Sequence, residues 1–320
     1  MSSFWCLQFS DRRNGGNQAL AAFFKNLAKD GGPSVVLRNG PSSLVKICLY
    51  NRHAWVVVSD PICALVLFVF GFQKVIQFIQ SDDYELFSER GRVFNLLYRT
   101  LYSALVKFTN WKRVFNSNYS RLKFNTRFGQ SYEIDSVVPM LGLKDLFPTV
   151  SMESVRHEKV RRENFLWVGS QHWFKGGAIF ARIIEKLGYQ GKMLFAGDVP
   201  HWARKAADIE VMNNLDRSEI FRLMKKAECY VYTSCFDSFG LPIFEALHNG
   251  CPVVALENEC LELNETSQFI HVVNTEKELE KALYERSYLH NQPKLVIDWD
   301  DERQRLLDWI DLNLECLQNG

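Results

Sequence analysis

The chain predicts an α/β protein made of two Rossmann-like domains that face each other across a cleft. Three observations carry this. Its 320 residues leave room for two cores at roughly 150 residues each. Short apolar runs alternate with helical stripes in both halves, the pattern of parallel sheets covered on both faces. A polar stretch, Thr149 to Asn164, separates the two series. The expected division is 1–150 for an N-terminal domain, 165–298 for a C-terminal one, and 299–320 for a final helix.

Taken in order, "SFWCLQFS" reads as a strand, and "DRRNGGNQALAAFFKNLAKDGG" as a Gly-Gly turn opening a helix with Leu20, Phe23, Phe24 and Leu27 on one face. "HAWVVVSDP" is a strand closed by Asp-Pro. The apolar run Pro61–Phe72 is too short to span a bilayer and reads as a buried helix. "QKVIQFIQS" alternates apolar and polar residues as a strand does, and Phe94 to Leu105 carries a helical stripe. "WKRVFNSN" is a further short strand. The second series runs "FLWVGS", helix "GAIFARIIEKLG", "KMLFAGD", helix "RSEIFRLMKKA", "CYVYTS", helix "PIFEALHNG" and "CPVVAL". The last stretch, "DDERQRLLDWIDLNLECLQ", places Leu306, Leu307, Ile310 and Leu314 at helical spacing.

Composition narrows the function classes. A hydrophobic fraction of 47% with 23% charged residues indicates a globular chain, and a net charge of +1 makes no case for nucleic acid. The eight cysteines contain no Cys-x-x-Cys pair, which points to a reducing cytoplasm and no zinc site. The start, "MSSFWCLQFSDRR", lacks the pattern of a cleavable leader, so a cytoplasmic location is expected. Charge is uneven along the chain. From Gly91 to Tyr132 there are eight Lys or Arg and no acid, while Glu257 to Glu302 holds twelve acids against four bases. The basic tract fits either a solvated face over an aromatic core or attraction to an anionic membrane surface or lipid-diphosphate acceptor.

Open α/β sheets bind ligands beyond the carboxyl ends of their strands, so strand–turn–helix junctions are where chemistry is sought. Three stand out. In "SCFDSFGLPIFEALHNGCPVVAL", Asp237 and Glu245 flank Phe239-Gly240-Leu241-Pro242 with seven residues between the acids. Pro242 suits a first helical turn, whose open amides favour an anion such as a diphosphate. Glu245, expected in or near that turn, suits neutral hydroxyls such as a ribose diol. An acid near a helix N-terminus is also favourable in any protein. In "FLWVGSQHWFKGG", Lys175 follows a strand ending at Gly169-Ser170 and can neutralise a departing diphosphate; a single loop lysine is more commonly just solvated. In "RRNGGNQ", Gly15 and Gly16 permit close backbone approach to a ligand. They do not form Gly-x-Gly-x-x-Gly, so no dinucleotide cofactor is expected.

These stretches together resemble the GT-B-fold glycosyltransferases of glycosyltransferase family 4. "DSFGLPIFEALHNGCPVVA" is similar to that family's Glu, seven residues, Glu signature, with Asp237 where the first Glu stands. "FLWVGSQHWFKGG" is similar to its Val-Gly-Arg…Lys-Gly segment, with Ser170 in place of the arginine. "KMLFAGDVP" and "MNNLDRSEIFRLMKKAECYVYTS" match the segments between, so the likeness is dense from Phe165 to Leu256. It implies retaining, metal-independent transfer of a sugar from a nucleoside-diphosphate sugar to an acceptor hydroxyl, with no cofactor. Asp237, Lys175 and Glu245 would carry the chemistry. Gly15, Gly16, Ser170, Phe239, Gly240, Leu241, Pro200 and His201 would complete the donor site, with Arg12 or Arg13 replacing the cation lost at Ser170. A final helix returning to the first domain is also implied.

In the first half, "VIQFIQSDDYELF" is similar to a stretch of some bacterial polysaccharide glycosyltransferases and nominates Gln80, Asp82 and Asp83 for the acceptor side. The expected setting is bacterial surface polysaccharide or lipopolysaccharide synthesis, with peripheral contact of residues 91–132 on the cytoplasmic face of the inner membrane. A sugar-nucleotide epimerase and a non-catalytic nucleotide-sugar or glycan-binding protein are the competing classes. Both departures, at Asp237 and Ser170, motivate the latter.

Overall fold

A computed structural model of the chain describes residues 4–8, 35–39, 55–79, 92–128, 136–137, 164–263 and 270–290. The chain divides into two compact units, residues 1–148 with 298–320 and residues 149–297. The expected final helix, 299–320, and the Gly-Gly turn with its helix lie outside the described residues.

The first unit contains β1 (Phe4–Gln8), β2 (Val35–Asn39), β3 (Trp55–Val58), α1 (Pro61–Val69), β4 (Val75–Ile79), α2 (Arg92–Phe108), β5 (Lys112–Phe115), α3 (Asn118–Phe128) and β6 (Ser136–Val137). Its strands are parallel in the order β2-β1-β3-β4-β5-β6. The helix α1 starts where Asp60 accepts the amides of Ile62 and Cys63 at 2.9 Å each, with Pro61 at its first position. Leu67, Tyr102, Leu105 and Phe124 from the helices cover Val56, Val58 and Phe115 of the sheet. The Trp111 indole closes the end of α2 by donating to the Phe72 carbonyl at 2.8 Å.

The strand expected in "QKVIQFIQS" is present, and all of β4 is buried, Gln77 included. A parallel sheet has helices on both faces, and there the Gln77 Nε2 donates to the Tyr102 hydroxyl while the buried Oε1 accepts no hydrogen bond among the described residues. The basic tract, by contrast, is not one solvated face. Lys112 and Arg113 are buried in β5, where Arg113 donates to Thr109 Oγ1 at 3.3 Å and lies over the Phe124 ring. Arg99, Lys107 and Arg121 are exposed.

The second unit contains β7 (Phe165–Gly169), α4 (Gly177–Leu187), β8 (Gly191–Phe195), β9 (Ile209–Asn213), α5 (Arg217–Lys226), β10 (Cys229–Tyr232), α6 (Leu241–His248), β11 (Val253–Leu256), α7 (Glu259–Leu263), β12 (His271–Val273) and α8 (Glu276–Glu285). Its strands are joined as one parallel sheet of order β12-β11-β10-β7-β8-β9. This is the doubly wound order, growing outward in both directions from the β7–β10 pair. Phe180, Ile183 and Ile184 of α4 bury against Trp167, Met193 and Phe195. Left-handed Gly188 stops that helix. Both units are thus parallel α/β sheets, as the alternation predicted.

Candidate functional site

In the second unit the strand order reverses between β7 and β10. That reversal is the position at which open α/β sheets receive ligands, beyond the carboxyl ends of the strands. From β7 the chain passes half-buried Ser170 and one 3-10 turn, Trp173–Lys175, before α4. From β10 it passes Thr233, Ser234 and Asp237 before α6.

Hydrogen bonds to backbone carbonyls stitch the two loops together. The Cys235 amide donates to the Phe174 carbonyl at 2.9 Å, and the Ser234 hydroxyl donates to the same carbonyl at 3.2 Å. Thr233 Oγ1 donates to the Gly176 carbonyl at 2.9 Å. The Trp167 indole holds the Lys175 carbonyl at 3.2 Å, and Asn258 reaches across to the Ser234 carbonyl at 2.7 Å. Such a close approach requires glycine at 176. Its φ is +70°, and a Cβ there would lie 2.0 Å from the Thr233 carbonyl oxygen.

Lys175 Nζ consequently lies 2.7 Å from Asp237 Oδ2, with 24% and 14% of the two side chains exposed. The other Asp237 oxygen accepts the Ser238 amide at 2.9 Å. Gly240, left-handed at φ +76°, turns the chain into α6 and leaves its first amides without a side-chain cap. Gly176 does the same for α4. Two helix N-termini without side-chain caps, a lysine and a carboxylate thus follow the ends of the neighbouring strands β7 and β10. Such a set can receive an anionic group while offering a neighbouring acceptor to hydroxyls.

Glu245 is the fifth residue of α6, beside the first turn, and is buried. Burial pushes its carboxyl up to about 7, while the Arg217 guanidinium pulls the other way. The Nη2 of Arg217 donates to Glu245 Oε1. Burial likewise lowers the Arg217 pKa, against the attraction of Glu245. Arg217 opens α5 directly after Asp216, whose side chain accepts the Glu219 amide at 2.9 Å while Glu219 reaches back at 3.2 Å. That capping box fixes where Arg217 leaves the helix.

The other expected residues fall as follows. The Phe239 side chain is buried and stacked on Phe244, centroids 4.8 Å apart, so only its backbone remains for a ligand. Gly240 is the N-cap and Leu241 the first residue of α6. Pro200 and exposed His201 follow β8, the neighbour of β7, just before the short turn Ala203–Lys205. Gly15, Gly16, Gln80, Asp82, Asp83, Arg12 and Arg13 lie outside the described residues.

Arg217 is the residue that reading the sequence missed, although a signal was present. A cation at a helix N-terminus opposes the helix dipole, so in "LDRSEIF" it marks a side chain kept for another reason.

Comparison with known proteins now adds to this geometry. Residues 162–285 match the family model described as "Glycosyl transferases group 1". No curated protein matches the chain in sequence. Sucrose-phosphate synthase from Thermosynechococcus elongatus is similar in structure with a TM-score of 0.70 and 14% identity, over 99% of this chain and 98% of that one. WaaG, a glycosyltransferase involved in lipopolysaccharide biosynthesis, is similar at 0.63 and 16%, over 96% and 95%. The catalytic domain of starch synthase IV from Arabidopsis thaliana, bound to ADP and acarbose, is similar at 0.64 and 11%, over 97% and 98%. The resemblance to GT-B-fold glycosyltransferases is borne out, in fold by these structures and in class by the domain match.

Proposed function

We propose that this glycosyltransferase takes a sugar from a nucleoside-diphosphate sugar and passes it, with retained configuration and without a metal, to a hydroxyl of a glycan or lipid-linked acceptor. Family 4 is the family intended, and bacterial surface polysaccharide or lipopolysaccharide synthesis is the setting. The observation that carries the reading is the Lys175–Asp237 pair at the β7–β10 switch point, beside the uncapped starts of α4 and α6. Lys175 and the open amides meet the diphosphate. Asp237 accepts a hydroxyl of the donor sugar, and Glu245 accepts the ribose diol. The bond from the anomeric carbon to the diphosphate breaks with its electron pair leaving on phosphate. The acceptor oxygen bonds to that carbon, and its hydroxyl proton passes to the departing phosphate oxygen. What the protein contributes is fixed positive potential where negative charge develops.

Titration calorimetry with a panel of UDP, GDP, dTDP and CDP sugars, without added metal, tests this on the wild type and Lys175→Ala. Selective binding weakened by the substitution supports the donor site. A folded protein that binds none of them overturns it and favours a scaffold without its chemistry.

The acceptor side and the inner membrane belong to the same proposal. Among the described residues no helix is long and apolar enough to cross a membrane. Helix α2, however, is apolar on two faces. Tyr98, Tyr102 and Leu105 face the core, while Val93, Leu96, Leu97, Leu101 and Phe108 are exposed, Val93 at 83% and Leu96 at 70%. At 3.6 residues per turn the exposed set forms one stripe, with exposed Arg99 and Lys107 on the same helix. An apolar stripe with cations, in a stretch free of acids, suits the headgroup region of an anionic bilayer.

A further inference from the structure

The donor-site reading leaves one contact unexplained. Glu245 is buried, yet the ribose role requires it to be an ionised acceptor, and a carboxylate deprived of water reverts to the acid. From the elements packed around it, the titratable groups facing it are Arg217 of α5 and Tyr230 of β10. The Tyr230 phenol is itself buried and held neutral, mainly by burial and further by Asp237 and Glu245. Arg217 is therefore the cation that opposes burial and favours the charged form of Glu245. It donates to Oε1, and among the described residues no hydrogen bond engages Oε2.

Resting on that donor-site reading, we propose that Arg217 is a positioning residue of the site: its bond to Glu245 Oε1 fixes the carboxylate rotamer and leaves Oε2 to accept the ribose hydroxyls of a nucleoside diphosphate. Three features support the assignment. Arg217 stands at the first position of α5, where a cation is unfavourable for the helix itself. A capping box built from Asp216 and Glu219 anchors its backbone. Its guanidinium also lies 5.5 Å from the Phe221 ring, so the side chain is held on two sides. Lysine at this position would supply charge but not a planar fork held against a ring.

The test uses the full chain with UDP and GDP as probes, and Arg217→Met, Arg217→Lys and Glu245→Gln as variants. Nucleotide dissociation constants are measured from pH 5.5 to 8.5, and the Glu245 carboxyl is titrated by carbon NMR without nucleotide. Arg217→Met is expected to weaken nucleotide binding by about tenfold or more, the worth of one charge-assisted hydrogen bond, and to move the Glu245 midpoint upward. Arg217→Lys should return part of both effects. A purely structural role would lower the folded fraction, read by circular dichroism, without moving the midpoint. If Glu245→Gln weakens binding but Arg217→Met changes neither affinity nor midpoint, the positioning role is overturned while the donor site stands. If Glu245→Gln leaves nucleotide affinity unchanged, or neither probe binds the wild type, the donor-site reading itself falls and this role with it. Should Arg217→Met fail to fold, an Arg217→Lys variant with wild-type affinity and midpoint would overturn the role equally.

Discussion

Lys175 and Asp237 are separated by 62 positions in the chain and by 2.7 Å in space. Neighbouring strands β7 and β10 bring them together, and hydrogen bonds between the two loops leave Lys175 no other acid partner among the described residues. In this state the lysine is already neutralised, so a diphosphate must share or displace the carboxylate.

That competition has a direct consequence for Asp237→Asn. Without the carboxylate, Lys175 is free for phosphate, and UDP or GDP should bind a few-fold more tightly while sugar transfer falls. Calorimetry beside a transfer assay reads both quantities. Parallel losses in binding and transfer would contradict the competition.

Lys175→Ala should raise the nucleotide dissociation constant by roughly tenfold to a hundredfold, the range for a hydrogen bond to a charged group. Asp237 would then remain partly buried without its cation, so the double variant Lys175→Ala/Asp237→Asn should be better folded than Lys175→Ala alone. Thermal unfolding of the two proteins decides this.

The pH dependence follows from Glu245, whose carboxyl is raised to about 7 by burial. With Glu245 as the proposed ionised acceptor of the ribose, nucleotide affinity should fall as pH drops through about 7, and Glu245→Gln should flatten that profile. Stability runs the other way. The folded-state pKa exceeds the unfolded value of 4.5, so the folded protein binds the extra proton. This contribution is present in full below 4.5 and is lost as pH rises through about 7. Denaturant titrations across that window should show a more negative slope of stability against pH in the wild type than in Glu245→Gln.

Gly176→Ala tests the loop contact. A left-handed non-glycine residue costs about 1–2 kcal/mol, and the added Cβ would also meet the Thr233 carbonyl oxygen at 2.0 Å. Unfolding should move down by several degrees, and nucleotide binding should weaken because Lys175 shifts with the turn. Gly188→Ala, left-handed with nothing near its Cβ, is the control: it carries the backbone strain alone and should leave nucleotide binding in place.

The exposed face of α2 predicts binding to vesicles. Phosphatidylglycerol vesicles should sediment the protein and phosphatidylcholine vesicles should not. Val93→Asp/Leu97→Asp should abolish the effect while leaving nucleotide binding intact. Loss of self-association by the same variant, in analytical ultracentrifugation without lipid, would instead assign the face to a second copy of the chain.

Much of this protein was legible before its structure. The strands β3, β7, β10 and β11 are short runs of apolar residues between turn signals, and α4 and α5 repeat apolar side chains every three or four positions. Junction chemistry also survives translation into space: Lys175, Asp237 and Gly240 all stand between a strand end and a helix start. Less legible were residues whose surroundings come from elsewhere. The burial of Gln77 inside β4 could not be read from its polar type, because periodicity cannot tell a sheet covered once from one covered twice. Phe239 looked like part of the ligand loop, but its ring is stacked on Phe244 one turn into the helix.

The sequence by itself determined the fold class and the junctions at which chemistry is gathered, because strand and helix periods, caps and glycine turns are local properties of neighbouring residues. Only the tertiary structure decided that Lys175 faces Asp237, that Arg217 holds Glu245, and that α2 leaves an apolar stripe uncovered. Each depends on strand order and helix packing, which bring together side chains far apart in the chain and set how much water each one keeps.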